Sequence, residues 1–324
     1  MQVSILGAGG FLGRRIADHL AREGRLGEAA LSGMTLFDLA APPVPAAGFP
    51  VRAVAGDVAD LPEAAIPPGT DVVFHLAAVV SAAAEADYDL GWRVNLGGAQ
   101  AVVAACRRLA RPPRVVFTSS VASFSGGQDA VLADDARQVP ANSYGAQKAA
   151  AELLLADASR RGMLDLVSIR LPTVVIRPGR PNKAASSFVS SILREPLLGL
   201  PAELPVPPDF AVWIASPRRA VEWLLHAAAM DTGPMHLDRG VNPPGISVTV
   251  AHMLQALDAV RPGASALIRH VPDDAVRRVV ETWPASFEAM HARTLGFAAH
   301  EPVIDLVRAF VADDLEATRA DRRL

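Results

Sequence analysis

One cysteine and two tyrosines occur in the 324 residues, aromatic side chains make up only 5% of them, and no run of Lys and Arg is long enough to make a basic patch. Each scarcity excludes something. Cys106 has no partner for a disulfide within the chain, so the fold has to rest on its hydrophobic core, as in proteins of reducing compartments. It lies in an apolar helical stretch, 101–109, and reads as a small core residue. A formal net charge of -3 without basic runs leaves no electrostatic footprint for nucleic acid or anionic lipid. The longest apolar stretch, 72–84, contains His75 and is too short to span a membrane. The first residues form an apolar strand pattern rather than the basic, apolar and small-residue succession of a signal peptide. Together these features point to a cytoplasmic protein that handles small molecules, with no metal expected.

What is present is a large apolar content, 51%, with 20% charged residues, enough for a sizeable core. Short apolar runs at 3–7, 34–38, 51–55, 71–76, 114–119 and 165–170 read as strands. Helical patterns separate several of them, at 11–20, 94–109 and 145–159, so the expected fold is α/β: a doubly wound parallel sheet of the Rossmann type with helices on both faces. The Pro-rich segment 40–50 reads as an exposed loop, and beyond Pro172 the βα rhythm loosens. Residues 212–230 and 235–241 read as a helix and a strand returning to the main sheet, 303–311 as a helix, and the last six residues as a frayed tail.

Three constellations carry chemistry. Gly7, Gly10 and Gly13 follow the first strand at the spacing that permits a tight turn, a close backbone approach to a pyrophosphate and tight helix packing, with helix amides open to an anion. Asp38 closes the second strand, where an acid accepts hydrogen bonds from ribose hydroxyls and repels a 2′-phosphate, which favours NAD over NADP. Tyr144 and Lys148 are one helical turn apart, so phenol and ammonium share a helix face and the cation can favour phenolate. The run Thr118-Ser119-Ser120 ends the fifth strand; no Gly-x-Ser-x-Gly elbow accompanies it, which argues against a serine hydrolase.

In this order the motifs resemble the extended short-chain dehydrogenase/reductase family, and the resemblance covers nearly the whole chain. It implies a cofactor-binding domain over 1–172, to which 212–241 returns, and a smaller C-terminal substrate-binding lobe built mainly from 173–211 and 242–324. It implies Tyr144 as the catalytic base, Lys148 as its electrostatic partner and ribose ligand, Asn95 as a helper that holds a water or backbone contact near Lys148, and Ser120 as the group that polarises the substrate oxygen. Ser120 is preferred to Ser119 because the family's catalytic hydroxyl stands four residues before an aromatic position, here Phe124. NAD is then expected against Gly7, Gly10, Phe11, Leu12, Gly13, Asp38, Asp57, Val58, Leu76, Ala77, Ala78, Ser119, Tyr144, Lys148, Pro172 and Thr173. His75 is expected to pack rather than to act as a base.

On the substrate side the resemblance and the topology suggest Ser81, Ser120, Ser123, Phe124 and Tyr144, with cations and donors from 177–183 and 213–218. Among these Asn182, Lys183 and Arg218 are the first candidates, and an arginine at 218, where the family often has an acid, suggests an anionic substrate. The wider pattern resembles a branch of the family that oxidises the C2 hydroxyl of a four-carbon sugar acid with NAD. The partners expected are that small molecule and, at most, a second copy of the chain. Alternatives on the same scaffold are a nucleotide-sugar epimerase or reductase, and a non-catalytic NAD(P)-sensing protein, against which the intact Ser120, Tyr144 and Lys148 argue.

Overall fold

In the computed structural model, which describes residues 1–126, 131–180, 186–300 and 302–324, the apolar runs line up side by side. The strands Val51–Ala55, Gly33–Asp38, Gln2–Leu6, Val72–His75, Arg114–Ser120, Asp165–Leu171 and Gly240–Val241 form one sheet in that spatial order. Every neighbouring pair is parallel. Central strands buried on both faces need apolar residues at successive positions rather than alternate ones. Thus Ile5, Leu36 and Val116 point to a layer formed by the helices Phe11–Glu23 and Pro217–Ala229, with Ile16, Leu20, Trp223 and Leu224. Their neighbours Leu6, Phe37 and Val115 point to the opposite layer, with Val102, Cys106 and Leu155 from the helices Tyr88–Cys106 and Ser143–Arg160.

The first strand lies between the second and fourth strands of the sheet in chain order, so the direction of winding reverses there and a crevice opens at the carboxyl ends. Local chemistry fixes the helices that flank it. The helix Phe11–Glu23 closes on Gly24 in the left-handed conformation, φ 65°. Asp87 caps Tyr88–Cys106 by accepting from the Leu90 amide at 2.9 Å, which starts this helix several residues before the apolar pattern at 94. Asn142 caps Ser143–Arg160 through the Gly145 amide at 2.8 Å and so sets the first turn that carries Tyr144.

The remaining chain builds a smaller body with its own core, in which Ile192, Leu193, Ile214, Met253, Leu257 and Phe310 are buried together. Its three-stranded sheet has the order Ile246–Thr249, Ala211–Ala215, Thr173–Val174. Two expectations need correction here. Residues 212–215 are not the start of a helix: they are the central strand of this small sheet, and the helix begins only at Pro217, after the Ser216 cap. Trp213, Ile214 and Ala215 are all buried, which suits a strand covered on both sides. Nor is the end of the chain frayed. Leu315–Arg322 is a helix whose Thr318 is buried and whose Arg322 guanidinium pairs with the buried Glu195.

The turn after the first strand is tightly packed. A Cβ on Gly13 would stand 2.2 Å from the Gly7 carbonyl oxygen and 2.8 Å from Ala8 Cα. Both neighbours are backbone and cannot swing away, so Gly13→Ala is expected to destabilise the protein by about 1–3 kcal/mol in urea unfolding, as overpacking does. Gly48→Ala, in the exposed loop where nothing lies within 4 Å of the added methyl, should change stability by less than about 0.5 kcal/mol.

Candidate active site

The crevice at the carboxyl edge is walled at one end by the glycine turn. Gly7, Gly10, Phe11, Leu12 and Gly13 line it, and no side chain caps the first turn of the helix that starts at Phe11. Its open amides face a place for an anion. Gly7 adopts φ 91°, and a Cβ there would meet the Ala77 nitrogen at 2.7 Å, so the loop after the fourth strand lies directly against the turn. Leu76 and Ala78 reach the crevice from that loop, while Ala77 packs on Gly7. Asp38 Oδ2 accepts from the Gly9 amide at 2.8 Å and its Oδ1 from the Leu39 amide at 2.7 Å, which holds the carboxylate over the glycine turn. Asp57 caps a short turn through the Ala59 amide at 2.9 Å and also pairs with Arg93; Val58 is buried against Gly98. Neither lines the crevice wall.

Further along, Thr118, Ser119 and Ser120 end the fifth strand, Leu171 ends the sixth, and Pro172 and Thr173 follow it. The Ser119 hydroxyl is buried without a partner among the described residues, a donor left for a ligand. Open helix amides, a carboxylate at the end of the second strand and this unpartnered hydroxyl fit a dinucleotide. Among the described residues, no group of His, Cys, Asp and Glu is placed to hold a metal ion.

Tyr144, Lys148 and Ser120 converge on this crevice. Burial pushes the Tyr144 phenol up from its ordinary value, while the charge of Arg177 and a hydrogen bond with the Ser120 hydroxyl pull it down. Lys148 is 1% exposed, and burial pushes its ammonium down to about 7. Its Nζ donates to the Thr118 carbonyl at 2.8 Å and stands 4.6 Å from the Phe117 ring and 5.7 Å from the Tyr144 ring. In this structure the lysine is turned to the strand backbone, and the charge that pulls the phenol down is that of Arg177.

Other expected residues lie behind the wall rather than in it. Asn95 makes no bond to Lys148. Its side chain clasps Val79, accepting from the amide at 2.9 Å and donating to the carbonyl at 3.0 Å, and donates to Gln147 Oε1 at 2.7 Å. It thereby positions the loop whose next residues, Val80 and Ser81, line the crevice. Ser123 is fully buried and donates to the Ser120 carbonyl at 2.8 Å, so it supports the substrate side without facing it. Phe124 is turned inward too, packed edge-on against Phe287 at 5.3 Å between ring centres. Both were placed in the site by chain position alone, and the short helical turn Val121–Phe124 carries them into the core. His75 is buried against Phe117, and burial with the neighbouring Lys148 pushes its imidazole down to about 3, so it stays neutral.

Arg218, in the first turn of the helix Pro217–Ala229, does not reach the crevice. Its Nε and Nη2 make a fork with Asp313 at 2.6 and 2.5 Å, on the surface. A helix-opening arginine with an acid in reach across the groove is satisfied there. Asn182 and Lys183 lie outside the described residues. Three groups escaped sequence reasoning. Arg177 lines the crevice with Tyr144, and so does Trp283, whose buried indole N–H has no partner among the described residues. Gln138 donates from Nε2 to Ser123 Oγ at 3.0 Å and to Glu152 at 3.2 Å, and Glu152 is paired with Arg170 at 2.9 Å, a buried chain that ends on the backbone of Ser120. Arg177 was visible as one cation of a basic segment, but no spacing preferred it; nothing in the sequence marks Trp283 or Gln138.

The arrangement matches known proteins along its full length. The family model described as "NAD dependent epimerase/dehydratase family" matches residues 3–210. D-erythronate dehydrogenase of Cupriavidus necator is 44% identical over 323 residues, covering 97% of this chain and 98% of its own. The protein of that name from Haemophilus influenzae is 37% identical over 321 residues, covering 97% of this chain and 100% of its own. Among solved structures, the nucleoside-diphosphate-sugar epimerase from Agrobacterium tumefaciens superposes with a TM-score of 0.92 at 43% identity, covering 98% of this chain and 95% of its own. The chain belongs to the NAD dependent epimerase/dehydratase family, the extended short-chain dehydrogenases/reductases, and is an NAD-dependent oxidoreductase.

Proposed function

We propose that the protein oxidises the C2 hydroxyl of a four-carbon sugar acid, D-erythronate to 2-oxo-tetronate, with Tyr144 as the base. One observation carries this reading: the Tyr144 phenol and the Ser120 hydroxyl stand in the wall of the same crevice as the open helix amides. The names of the two relatives supply the substrate. Ser120 holds the substrate hydroxyl, and Tyr144 removes its proton as the carbonyl forms. NAD, when bound, accepts the hydride that leaves C2. Lys148 holds the cofactor ribose through Nζ and keeps a positive charge under the phenol once bound groups return the proton that burial has loosened. Asn95 acts through the backbone of Val79 to place Ser81. Asp38 receives the adenosine ribose and opposes a 2′-phosphate.

The epimerase name of the Agrobacterium structure makes epimerisation the competing reading. The two differ in the fate of the cofactor: an epimerase returns NAD unchanged after each cycle, whereas a dehydrogenase accumulates its reduced form. Incubating the purified protein with NAD and a panel of aldonates, uronates and 2-hydroxy acids, while following absorbance of the reduced cofactor, should give stoichiometric reduction with erythronate. No reduction with any member of the panel would remove the dehydrogenase reading.

Tyr144→Phe is expected to lower turnover by about 100-fold or more while NAD binding persists, since positioned acid–base groups contribute at least that much. Near-normal turnover would dismiss Tyr144 as the base. Catalytic efficiency should be higher with NAD than with NADP, and Asp38→Ala should narrow that ratio; a wild-type preference for NADP would take Asp38 out of this role. Lys148 also makes a prediction about stability. Its folded value, about 7, lies below the ordinary lysine value of 10.5. Between the two, the unfolded chain binds a proton that the native protein does not, so stability rises with pH across that window. In cofactor-free protein, the gain in Tm between pH 7 and 10 should therefore be larger for wild type than for Lys148→Met, and equal gains would contradict the depressed ammonium.

A further inference from the structure

We infer that Arg177 is the carboxylate anchor of this site, and that its place beside Tyr144 selects an α-hydroxy acid and directs oxidation to the hydroxyl on C2. The inference rests on the dehydrogenase reading and adds the group that chooses the substrate. Arg177 lines the crevice together with Ser81, Ser120, Tyr144 and Thr173. Among the described residues, no carboxylate is paired with its guanidinium, whereas the neighbouring Arg194 is engaged with Glu195 at 2.9 Å. A partly buried guanidinium without a counter-ion is costly, and an anionic ligand removes that cost. A planar fork accepts a carboxylate through two parallel hydrogen bonds.

The position of Arg177 is built rather than accidental. Its amide donates to Ser190 Oγ at 3.2 Å, and its carbonyl accepts from Arg194 Nη1 at 2.8 Å. Arg194 is itself 1% exposed and is held by Glu195, which also pairs with Arg322 from the last helix. The backbone at 177 is thus clamped from two sides, and the side chain starts from a fixed point.

The chemistry of the ligand follows from adjacency. Arg177 and Tyr144 line the same crevice, and the charge of Arg177 pulls the phenol down from the value that burial would give it. In an α-hydroxy acid, the carboxylate and the C2 oxygen are separated by a single carbon–carbon bond. A carboxylate held by Arg177 therefore brings the C2 hydroxyl to Tyr144 and Ser120, and leaves C3 and C4 to extend along the wall. There the unpartnered indole N–H of Trp283 can donate to a hydroxyl. A diphosphate would make different demands, with two anionic centres distant from the reacting carbon.

The test uses full-length wild type, Arg177→Gln and Arg177→Lys, with erythronate and its uncharged amide as probes. Calorimetry on the protein saturated with reduced cofactor gives binding, and NAD reduction gives kcat and KM. Wild type should bind and oxidise the acid better than the amide. Arg177→Gln should lose about tenfold or more in affinity and in kcat/KM for the acid, chiefly through KM, and little for the amide. Arg177→Lys should recover part of the loss, and affinity for the cofactor should stay within about twofold in both, which separates a lost anchor from a misfolded site. Undiminished discrimination between acid and amide in Arg177→Gln overturns the anchor, as does failure of wild type to bind the acid. Turnover with intact discrimination sinks the anchor and leaves the dehydrogenase standing. Acid binding that depends on Arg177, without NAD reduction, supports the anchor and sinks the dehydrogenase.

Discussion

Backbone lies directly on backbone where the first strand turns into the first helix. The Gly7 carbonyl sits where a Gly13 side chain would be, and the chain at Leu76 and Ala77 sits where a Gly7 side chain would be. This double contact brings a helix N-terminus and two strand ends to one edge of the sheet. The rest of the site hangs from that edge: Asp38 folds over the turn, the loop at 76–81 is pressed against it, and the fifth and sixth strands run past it in the parallel register to Ser120 and Leu171. Larger side chains at the glycines would separate these pieces by at least the thickness of a methyl group, and the crevice would lose the geometry that a dinucleotide needs.

Around that frame, the site is held by polar chains buried behind its visible wall. One runs from Arg170 through Glu152, Gln138 and Ser123 to the carbonyl of Ser120; another runs from Gln147 through Asn95 to Val79. Buried networks of this kind are sensitive to the loss of any member, because each remaining group is left unsatisfied in a low-dielectric interior. Reacting groups presented on strand ends and first helical turns are in this way fixed from the rear, and the phenol of Tyr144 experiences a stable balance between desolvation and the cation at Arg177.

The parallel sheet, its two helix layers and the residues of the glycine turn were legible in the sequence because they depend on short-range rules: apolar runs, helix caps and glycine spacing. Tyr144, Lys148 and Ser120 could be placed in one crevice for the same reason, since topology alone delivers strand ends and the next helix to the same edge. Orientation was not legible. Ser123 and Phe124 follow Ser120 closely in the chain, yet a short helical turn rotates them into the core. The choice among Arg177, Lys183 and Arg218 could not be made from spacing either, because it depends on Asp313, an acid far along the chain that takes Arg218. The end of the chain was misread for a related reason: its residues are polar, and only a buried partner, Glu195, reveals that Arg322 is docked.

The smaller body is assembled from separated pieces of chain. Thr173–Val174, Ala211–Ala215 and Ile246–Thr249 share a sheet, while Pro217–Ala229 and Gly240–Val241, between the second and third of these, belong to the large sheet and its helix layer. No single cut of the polypeptide separates the two bodies, so neither is a transplantable cassette. A change of substrate preference in such a molecule has to come by substitution in place, at a few residues on the shared wall, rather than by exchange of a contiguous module.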